Sequence, residues 1–350
     1  MLNNLTTLGW DVGGAHLKAV QIDASGKVLA ASQVYCALWR GLKELDLAID
    51  QVLNTFNATQ ALAIQHAVTM TGELADIFPN RHAGVMQIVT LLQQKLVGEI
   101  RYFVGEKGFI SFEKVAENTT HIASMNWLAS LQYLATYAQQ ALFIDIGSTT
   151  TDIALITEGK PFVLGFNDGA RMQYDELVYT GVVRTPLMAI AQKIAFNGQL
   201  ANVAAEHFAT TADVYTLTGD LPLAENMAET ADGAEKSEEA SARRIARMIG
   251  WDAQDAPISA WRNLAYAFRS AQLQQIQQAV LRQISTLGDC RGVSVIGAGA
   301  GDFLVSKLAQ QLGFRYESIA TFIDADNDKT RNMAALCFPA YAVARLASQC

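Results

Sequence analysis

Two short segments of this sequence combine an aspartate with glycine at the same spacing. In the first, Asp11 ends an apolar run and precedes Gly13 and Gly14; in the second, Asp145 ends an apolar run and precedes Gly147. Glycine lets a backbone approach an anion closely, and a tight turn can direct several N–H groups at one phosphate. A carboxylate at the end of the strand can hold a hydrated divalent cation. Each segment therefore predicts a β-hairpin whose turn binds a phosphate beside a metal ion.

Hydroxylic residues continue the second segment. Ser148, Thr149 and Thr150 follow its glycine and can add hydroxyl contacts to phosphate oxygens. An ordinary hairpin with a glycine turn explains either segment equally well when it is taken alone. Together, the two segments predict two facing half-domains with a polyphosphate and Mg²⁺, or another divalent cation, between them.

A third glycine-rich segment follows a β-branched run and precedes the apolar start of a helix. Its glycines are Gly297, Gly299 and Gly301. A strand, a glycine turn and a helix N-terminus together make a place for a nucleotide or a phosphate. The spacing differs from the G-x-G-x-x-G pattern of dinucleotide folds. We expect a side chain added at Gly147 or Gly299 to obstruct phosphate more than it harms folding.

The order of the three segments resembles the actin/hexokinase/Hsp70 superfamily, and residues 145–152 resemble its hydantoinase A/oxoprolinase group. The resemblance implies an α/β, two-domain, ribonuclease H-like fold with a phosphate cleft between the domains. The length of 350 residues also favours two domains. We expect an ATPase-type first domain over 1–140 with the first hairpin. The second, over 141–350, would carry the second hairpin and the glycine-rich turn, with its final helix, 335–350, packing back on the first domain.

Composition limits the classes of partner and compartment. The formal net charge of −8 argues against nonspecific binding to nucleic acid or to an anionic membrane. No C-x-x-C pair or zinc spacing occurs, so the four cysteines are expected to be reduced thiols, with Cys36 and Cys337 buried. Without a signal peptide or a long apolar stretch, we expect a cytoplasmic protein.

Periodicity and breakers predict the main elements. The strands expected around the first turn are 8–12 and 17–22, and 61–70 is predicted as a buried strand. Proline suits the first turn of a helix, so a helix is predicted to begin at Pro186 within 177–197. The other helices are predicted at 42–54, 126–140, 261–287 and 335–348.

Three hydroxyl-rich segments lie between the second turn and the third. They are 179–186, 208–215 and 229–233. Arg184, in the first of them, can make a bidentate contact to phosphate or carboxylate. His207, beside an aromatic residue, is more typical of a packed core histidine than of a catalyst. The charged stretch 232–244 is more typical of a solvated loop and helix face than of a mobile lid.

These segments, with residues 68–76 and 145–152, resemble the condensing enzymes of methanofuran biosynthesis. Such enzymes occur in methanogens and in methylotrophs that use tetrahydromethanopterin-linked C1 transfer. The resemblance implies a metal-dependent transferase of alkyl or aryl groups. It would join an (aminomethylfuranyl)methyl diphosphate to the phenol oxygen of γ-glutamyltyramine and release pyrophosphate. The partners implied are these two small molecules, and a homodimer stays open.

The site residues follow from the motifs and this resemblance. Asp145 or Asp152 would accept the phenol proton, although Asp152 can instead cap the hairpin, and Arg184 would assist catalysis. The expected metal ligands are Asp11 and Asp145. The expected phosphate-binding residues are Gly13, Gly14, Gly147, Ser148, Thr149, Thr150, Gly297, Gly299 and Gly301.

Two other functions use the same parts. An ATP-dependent small-molecule kinase, or a hydantoinase/oxoprolinase-like ATPase, would place the Gly297–Gly301 turn at adenosine. A non-catalytic, actin-like nucleotide-binding protein would need no acceptor molecule. Consumption of ATP, nucleotide-dependent polymerisation and release of pyrophosphate distinguish the three.

Overall fold

The computed structural model describes residues 6–56, 64–222 and 225–349, in which strands and helices alternate along most of the chain. The strands are β1 (Thr6–Val12), β2 (His16–Ile22), β3 (Val28–Tyr35), β4 (Ile64–Met70), β5 (Glu99–Phe103), β6 (Phe109–Ile110), β7 (Gln140–Ile146), β8 (Thr151–Thr157), β9 (Lys160–Phe162), β10 (Leu177–Val178), β11 (Lys193–Phe196), β12 (Gln199–Asn202), β13 (Ser294–Ala298) and β14 (Arg315–Ser318). The α-helices are α1 (Leu42–Thr55), α2 (Arg81–Lys95), α3 (Val115–Ile122), α4 (Asn126–Ala135), α5 (Asp168–Gln173), α6 (Thr211–Thr218), α7 (Glu238–Arg247), α8 (Ile258–Ile284), α9 (Asp302–Leu312), α10 (Asp328–Leu336) and α11 (Phe338–Ala347). This alternation confirms the predicted α/β class. Of the strand predicted at 61–70, residues 61–63 lie outside the described residues.

The chain forms two compact units. Unit 1 combines Met1–Gln140, Ile156–Phe162 and Ile319–Cys350, and unit 2 combines Ala141–Leu155 with Val163–Ser318. The expectation of one continuous second domain over 141–350 is therefore corrected. The return to unit 1 begins at Ile319, earlier than the predicted final helix at 335–350. Helix α11 holds this returning segment in unit 1 by packing on β1. The contact is so close that a Cβ at Gly9 would collide with the Ala340 carbonyl oxygen.

Unit 1 is built on a mixed sheet with the strand order β3-β2-β1-β4-β5-β6. β1 pairs antiparallel with β2 and parallel with β4, and β4 pairs parallel with β5. Alternate residues of β1, including Leu8 and Trp10, enter the hydrophobic core of this unit. Asp11 lies on the opposite face, in register with Thr69 of β4.

Unit 2 repeats this arrangement around β7. Its main sheet has the order β10-β8-β7-β13-β14, and β7 pairs parallel with β13. Like β1, β7 therefore lies between the next strand of the chain and a parallel strand that arrives later. The long helix α8 packs on α6, α7 and the hairpin strand β11, and it contributes Trp261, Leu264 and Phe268 to the core.

The helix predicted to begin at Pro186 is wrong. Only a single 3₁₀ turn, Leu187–Ala189, follows the proline, and the chain then forms the antiparallel hairpin β11–β12. The two residues between these strands, Asn197 and Gly198, both have positive φ (47° and 77°). Asn-Gly between two short strands is a strong signal for a two-residue hairpin turn, and it outweighs the proline here.

Two further expectations concern thiols and membranes. Cys36 and Cys337 are buried, as predicted, and burial raises the pKa of both thiols to about 12. Cys350 lies outside the described residues. Across the described ranges, no helix has both the length and the apolar character required to cross a bilayer.

Candidate functional site

The two aspartate–glycine turns have matching geometry. In unit 1 the N–H of Gly13 donates to the carbonyl of His16 at 3.0 Å, and in unit 2 the N–H of Gly147 donates to the carbonyl of Thr150 at 2.9 Å. Each turn closes over four residues and joins a strand that carries the aspartate to the next strand. The two predicted turns are therefore the same local structure, one in each unit.

The turn of unit 1 is anchored through its carbonyl groups. The carbonyl of Gly14 accepts from the N–H of Leu38 at 3.1 Å, and the carbonyl of Ala15 accepts from the N–H of Cys36 at 2.9 Å. The N–H groups of Gly14 and Ala15 donate to no acceptor among the described residues. Paired backbone N–H groups of this kind are the donors that bind anions in tight turns.

The turn of unit 2 is anchored in the same way, by a different loop. Val182 donates its N–H to the carbonyl of Gly147 at 3.0 Å, and the N–H groups of Val183 and Arg184 donate to the carbonyl of Ser148 at 3.1 and 2.8 Å. Within the described ranges, the N–H groups of Ser148 and Thr149 donate to no acceptor. The turn therefore offers two donors to an anion while its own position is fixed.

Packing does not explain why Gly147 and Gly14 are glycines. A Cβ at Gly147 would meet only the carbonyl oxygen of Thr150, at an ordinary 3.5 Å, and a Cβ at Gly14 would meet nothing within 4 Å. Neither residue has a positive φ. Close approach of a ligand to the turn is a physical reason for glycine that the protein's own contacts do not supply.

The third glycine segment has a different explanation. Cβ atoms at Gly297, Gly299 and Gly301 would collide with the side chain of Asp302, with Asp145 and with the side chain of Ile146, respectively. Gly299 also has a positive φ of 81°. The expectation that a side chain at Gly299 would harm phosphate binding more than folding is therefore wrong. These glycines are required by packing in unit 2, whatever ligand the turn binds.

Asp302, at the start of α9, is a half-buried carboxyl group that the sequence motifs do not single out. The hydroxyl of Tyr316 donates to it at 2.6 Å, and burial raises its pKa while this bond opposes the rise. The Asp302 side chain also fills the space in front of Gly297. Only its position directly after a glycine-rich turn, where acidic residues favour a helix start, marks it in the sequence.

Asp145 and Asp152 have different surroundings. Asp145 lies near the end of β7, half-buried, in register with Ala298 of β13. Asp152 lies in β8, where the guanidinium of Arg171 donates to its carboxylate at 2.7 Å. The Arg171 side chain is almost fully buried. Asp152, one of the two carboxylates nominated as proton acceptor, is therefore committed to a structural ion pair.

Asp11 is a buried carboxylate, 4% exposed, in unit 1. The side-chain amide of Asn126, the first residue of α4, donates to it at 3.4 Å. Two residues earlier, the hydroxyl of Ser124 donates at 2.8 Å to a second buried carboxylate, Glu73, in the turn after β4. Glu73 belongs to segment 68–76, which resembles the condensing enzymes, but nothing in the sequence marks it as a buried acid.

The polar segments of unit 2 are only partly as expected. Arg184 is half-buried, and its backbone N–H donates to the Ser148 carbonyl in the turn of unit 2. His207 is exposed, so the expectation of a packed core histidine is wrong. The charged stretch 232–244 is largely solvated, as predicted, but it includes Arg244, which is completely buried.

Carboxylate and backbone groups make up the donor set at both turns, and the turn of unit 2 adds the hydroxyls of Ser148, Thr149 and Thr150. Among the residues described, no group of three or more His, Cys, Asp and Glu side chains is arranged so that it could hold a metal ion by itself. A cation that is held by one carboxylate, phosphate oxygens and water suits Mg²⁺, which keeps much of its hydration shell. Asp11 and Asp145 thus fit the role of ligands to a hydrated cation, each within its own unit.

Comparison with known proteins gives consistent matches. The family model described as hydantoinase/oxoprolinase matches residues 65–348. A (4-{4-[2-(gamma-L-glutamylamino)ethyl]phenoxymethyl}furan-2-yl)methanamine synthase from Methanocaldococcus jannaschii is 30% identical over 69% of this chain and 71% of its own length. A synthase of the same name from Methanococcus vannielii is 28% identical over 46% of this chain and 72% of its own length.

A solved structure matches the fold. A nucleotide-free acetone carboxylase structure covers 98% of this chain, and the match covers 70% of that chain, with a TM-score of 0.62 and 12% identity. At this identity the likeness concerns the fold alone. Together with the repeated arrangement around β1 and β7, it confirms the predicted two-domain fold of the actin/hexokinase/Hsp70 class.

Proposed function

The chain belongs to the hydantoinase/oxoprolinase family, and from this membership and its relatives we propose that it is a transferase of methanofuran biosynthesis. The name of its relatives describes a product in which a phenol oxygen is bonded to the methylene carbon of an aminomethylfuran. The reaction proposed for this chain forms that ether from an (aminomethylfuranyl)methyl diphosphate and γ-glutamyltyramine. The carbon–oxygen bond to the diphosphate breaks, pyrophosphate leaves, and the phenol loses one proton.

The turn Gly147–Thr150 is the observation that carries this proposal. Its two available N–H groups, from Ser148 and Thr149, form a fixed donor pair for a diphosphate oxygen. Negative charge grows on the leaving diphosphate as the carbon–oxygen bond breaks, and fixed donors stabilise it without reorganisation. A bound divalent cation would neutralise part of the same charge. The turn of unit 1 offers the same type of donor pair through Gly14 and Ala15.

The side chains around the two turns have proposed roles. Asp145 would bind a hydrated cation at the turn of unit 2, and Asp11 would bind one at the turn of unit 1. The hydroxyls of Ser148, Thr149 and Thr150 would contact phosphate oxygens. Arg184 belongs to the loop that anchors the unit 2 turn, and its guanidinium suits bidentate binding of phosphate. Acting together, these groups make the diphosphate a better leaving group.

The phenol needs only modest activation. Its unperturbed pKa is about 10, so a positioned carboxylate helps by accepting the proton as the ether forms. The furan ring shares positive charge at the reacting carbon, which lets a weak nucleophile attack. Asp145 is our candidate for the proton acceptor, because Asp152 is held by Arg171.

Release of pyrophosphate tests this function directly. The purified protein is incubated with the furan diphosphate, γ-glutamyltyramine and Mg²⁺, and pyrophosphate and ether are quantified together. We expect equal amounts of both products, no ether without acceptor, and loss of both on chelation of the metal. Asp145→Asn serves as the matched inactive variant. Ether formation without pyrophosphate, or no ether with any preparation that binds both substrates, would contradict the proposal.

The kinase or ATPase alternative uses the same donor groups. In the described residues, the N–H groups of Gly299 and Ala300 also donate to no acceptor, so the third turn retains donors that a nucleotide could use. ATP added to the same incubation separates the functions. ADP formed in proportion to product supports the kinase, and nucleotide-dependent light scattering supports the actin-like protein. The transferase makes its ether without ATP.

A further inference from the structure

Arg244 is a charged side chain in the interior of unit 2. It is 0% exposed on α7, within a stretch otherwise rich in solvated charges. Its Nε donates to Oδ1 of Asp213 at 2.8 Å, and its Nη2 lies 2.7 Å from the same oxygen. A fully buried ion pair contributes little net stability compared with apolar packing, because both charges lose their water. Its presence therefore calls for a role in positioning.

The same guanidinium also holds the segment 229–235. Its Nη1 donates to the carboxylate of Asp232 at 3.0 Å and to the carbonyl of Glu235 at 3.2 Å. Arg244 is thus bonded to two of the hydroxyl-rich segments, to Asp213 of 208–215 and to Asp232 of 229–233. Neither segment contains Arg244, so the motif pattern alone did not reveal the residue that connects them.

Asp213 connects Arg244 to the start of α6. Its second carboxylate oxygen accepts from the N–H of Thr210 at 3.0 Å, and the Thr210 side chain caps the N–H of Asp213 in return. This reciprocal capping box fixes where the helix begins. The carboxylate of Asp213 therefore serves two partners, with Arg244 on one oxygen and the helix cap on the other.

The first turn of α6 in turn holds the loop 180–186. The hydroxyl of Thr211 donates to the carbonyl of Gly181 at 2.8 Å, and its N–H donates to the carbonyl of Thr185 at 2.9 Å. The side-chain amide of Gln272, from α8, donates to the same Gly181 carbonyl at 2.8 Å. This loop then donates the N–H groups of 182–184 to the turn Gly147–Thr150.

We propose that Arg244 is a positioning residue that, through Asp213 and the first turn of α6, fixes the loop 180–186 against the turn Gly147–Thr150. The inference rests on the proposed function, in which that turn binds the diphosphate. Arg244 is linked to the turn by hydrogen bonds between named groups and by the short backbone segments that join those groups. Loosening the network would leave the turn free to shift, and its donor pair would lose its alignment on the anion.

Two variants, each with a matched control, test the connection between Arg244 and the loop 180–186. Thr211→Val removes the hydroxyl that donates to Gly181 and keeps the shape of the side chain, whereas Thr211→Ser keeps the hydroxyl. Arg244→Lys keeps the charge but cannot serve Asp213, Asp232 and the Glu235 carbonyl together. Arg262→Lys is the control, because Arg262 of α8 pairs with Glu238 of α7, the helix of Arg244, and both of these side chains are partly exposed.

The readouts are affinity for Mg²⁺–pyrophosphate by calorimetry, hydrogen exchange of the amides at 182–184, and the thermal midpoint. We expect Thr211→Val and Arg244→Lys to weaken binding about tenfold and to accelerate exchange at 182–184. Thr211→Ser and Arg262→Lys should match the parent protein in both readouts. Thr211→Val keeps the test open if Arg244→Lys does not fold.

Two results would overturn the inference. Unchanged exchange at 182–184 in Thr211→Val would show that the network does not hold the loop. Faster exchange with unchanged affinity would show that the loop does not align the turn. A parent protein that binds no pyrophosphate would contradict the proposed function instead, and the exchange rates would still decide whether Arg244 and α6 control this loop.

Discussion

The carboxylate of Asp145 occupies the space in which Gly299 would carry a Cβ. The two residues belong to β7 and to the turn after β13, which lie side by side because these strands pair in parallel. The proposed metal ligand of unit 2 and the glycine-rich turn are therefore parts of one packed structure. A change at Gly299 acts on Asp145 directly.

We predict that Gly299→Ala lowers the stability of the protein. The new methyl group would collide with Asp145 and with the Ile146 carbonyl oxygen, at a positive φ that alanine disfavours. Together we expect a loss of at least about 2 kcal/mol in the free energy of unfolding. Thermal or urea unfolding measures it. Gly288→Ala is the control, since a Cβ there meets nothing within 4 Å; equal stability of the two variants would contradict the packing argument.

Gly147→Val should have the opposite profile. The nearest atom to its Cβ is the Thr150 carbonyl oxygen at 3.5 Å, so we expect a thermal midpoint close to that of the parent protein. The side chain would stand beside the N–H groups proposed to bind phosphate, and affinity for Mg²⁺–pyrophosphate should fall at least about tenfold, or about 1.4 kcal/mol. Calorimetry gives the affinity. A variant that binds as well as the parent would remove the argument for a phosphate turn.

Substitution of the two carboxylates near that turn should have different effects, on stability for Asp152 and on turnover for Asp145. Asp152→Asn removes the charge opposite the buried Arg171 and should cost about 2 to 3 kcal/mol of stability. Asp145→Asn keeps the shape that packs on Gly299 and should preserve the fold while turnover falls at least about 100-fold. Parallel measurements of thermal midpoint and ether formation test both. Near-normal turnover by Asp145→Asn would refute its assignment.

Acidic pH should lower the stability of unit 1, because His66 is buried as a neutral imidazole. The Trp10 indole N–H donates to Nδ1 of His66 at 3.1 Å, and Nε2 lies 3.2 Å from the Val97 carbonyl. Burial lowers the pKa of this imidazole to about 4, and the bond to Val97 opposes the shift. The unfolded chain takes up the proton near pH 6.5, so stability is complete above that pH and is lost as the pH falls towards 4. We expect a loss of about 2 kcal/mol by pH 5.

His66→Gln is the matched variant for this prediction, because a glutamine amide can both accept and donate but does not titrate. Urea unfolding of both proteins between pH 7 and pH 5 gives the comparison. The parent protein should lose stability more steeply on acidification than the variant. Parallel curves would show that His66 does not carry this pH dependence.

Local patterns predicted the parts of the site that are local. Each aspartate–glycine turn closes within four residues, so its sequence contains all the atoms that define it. The roles of Gly299 and Arg244 depend instead on residues distant in the sequence; Gln272 reaches Gly181 across 91 positions. No periodicity identifies such partners. The hairpin around Asn197 and Gly198 is different, because the Asn-Gly pair that specifies its turn is itself a local signal and outweighs the proline at 186.

The fate of the bridging oxygen tests the central claim most directly. The furan diphosphate is prepared with ¹⁸O between the methylene carbon and the first phosphorus, and the products are analysed by mass spectrometry. Carbon–oxygen cleavage, which the transferase requires, leaves the label in the released pyrophosphate, and the ether carries the unlabelled oxygen of the phenol. Label retained on the organic product would show phosphorus–oxygen cleavage and contradict the account.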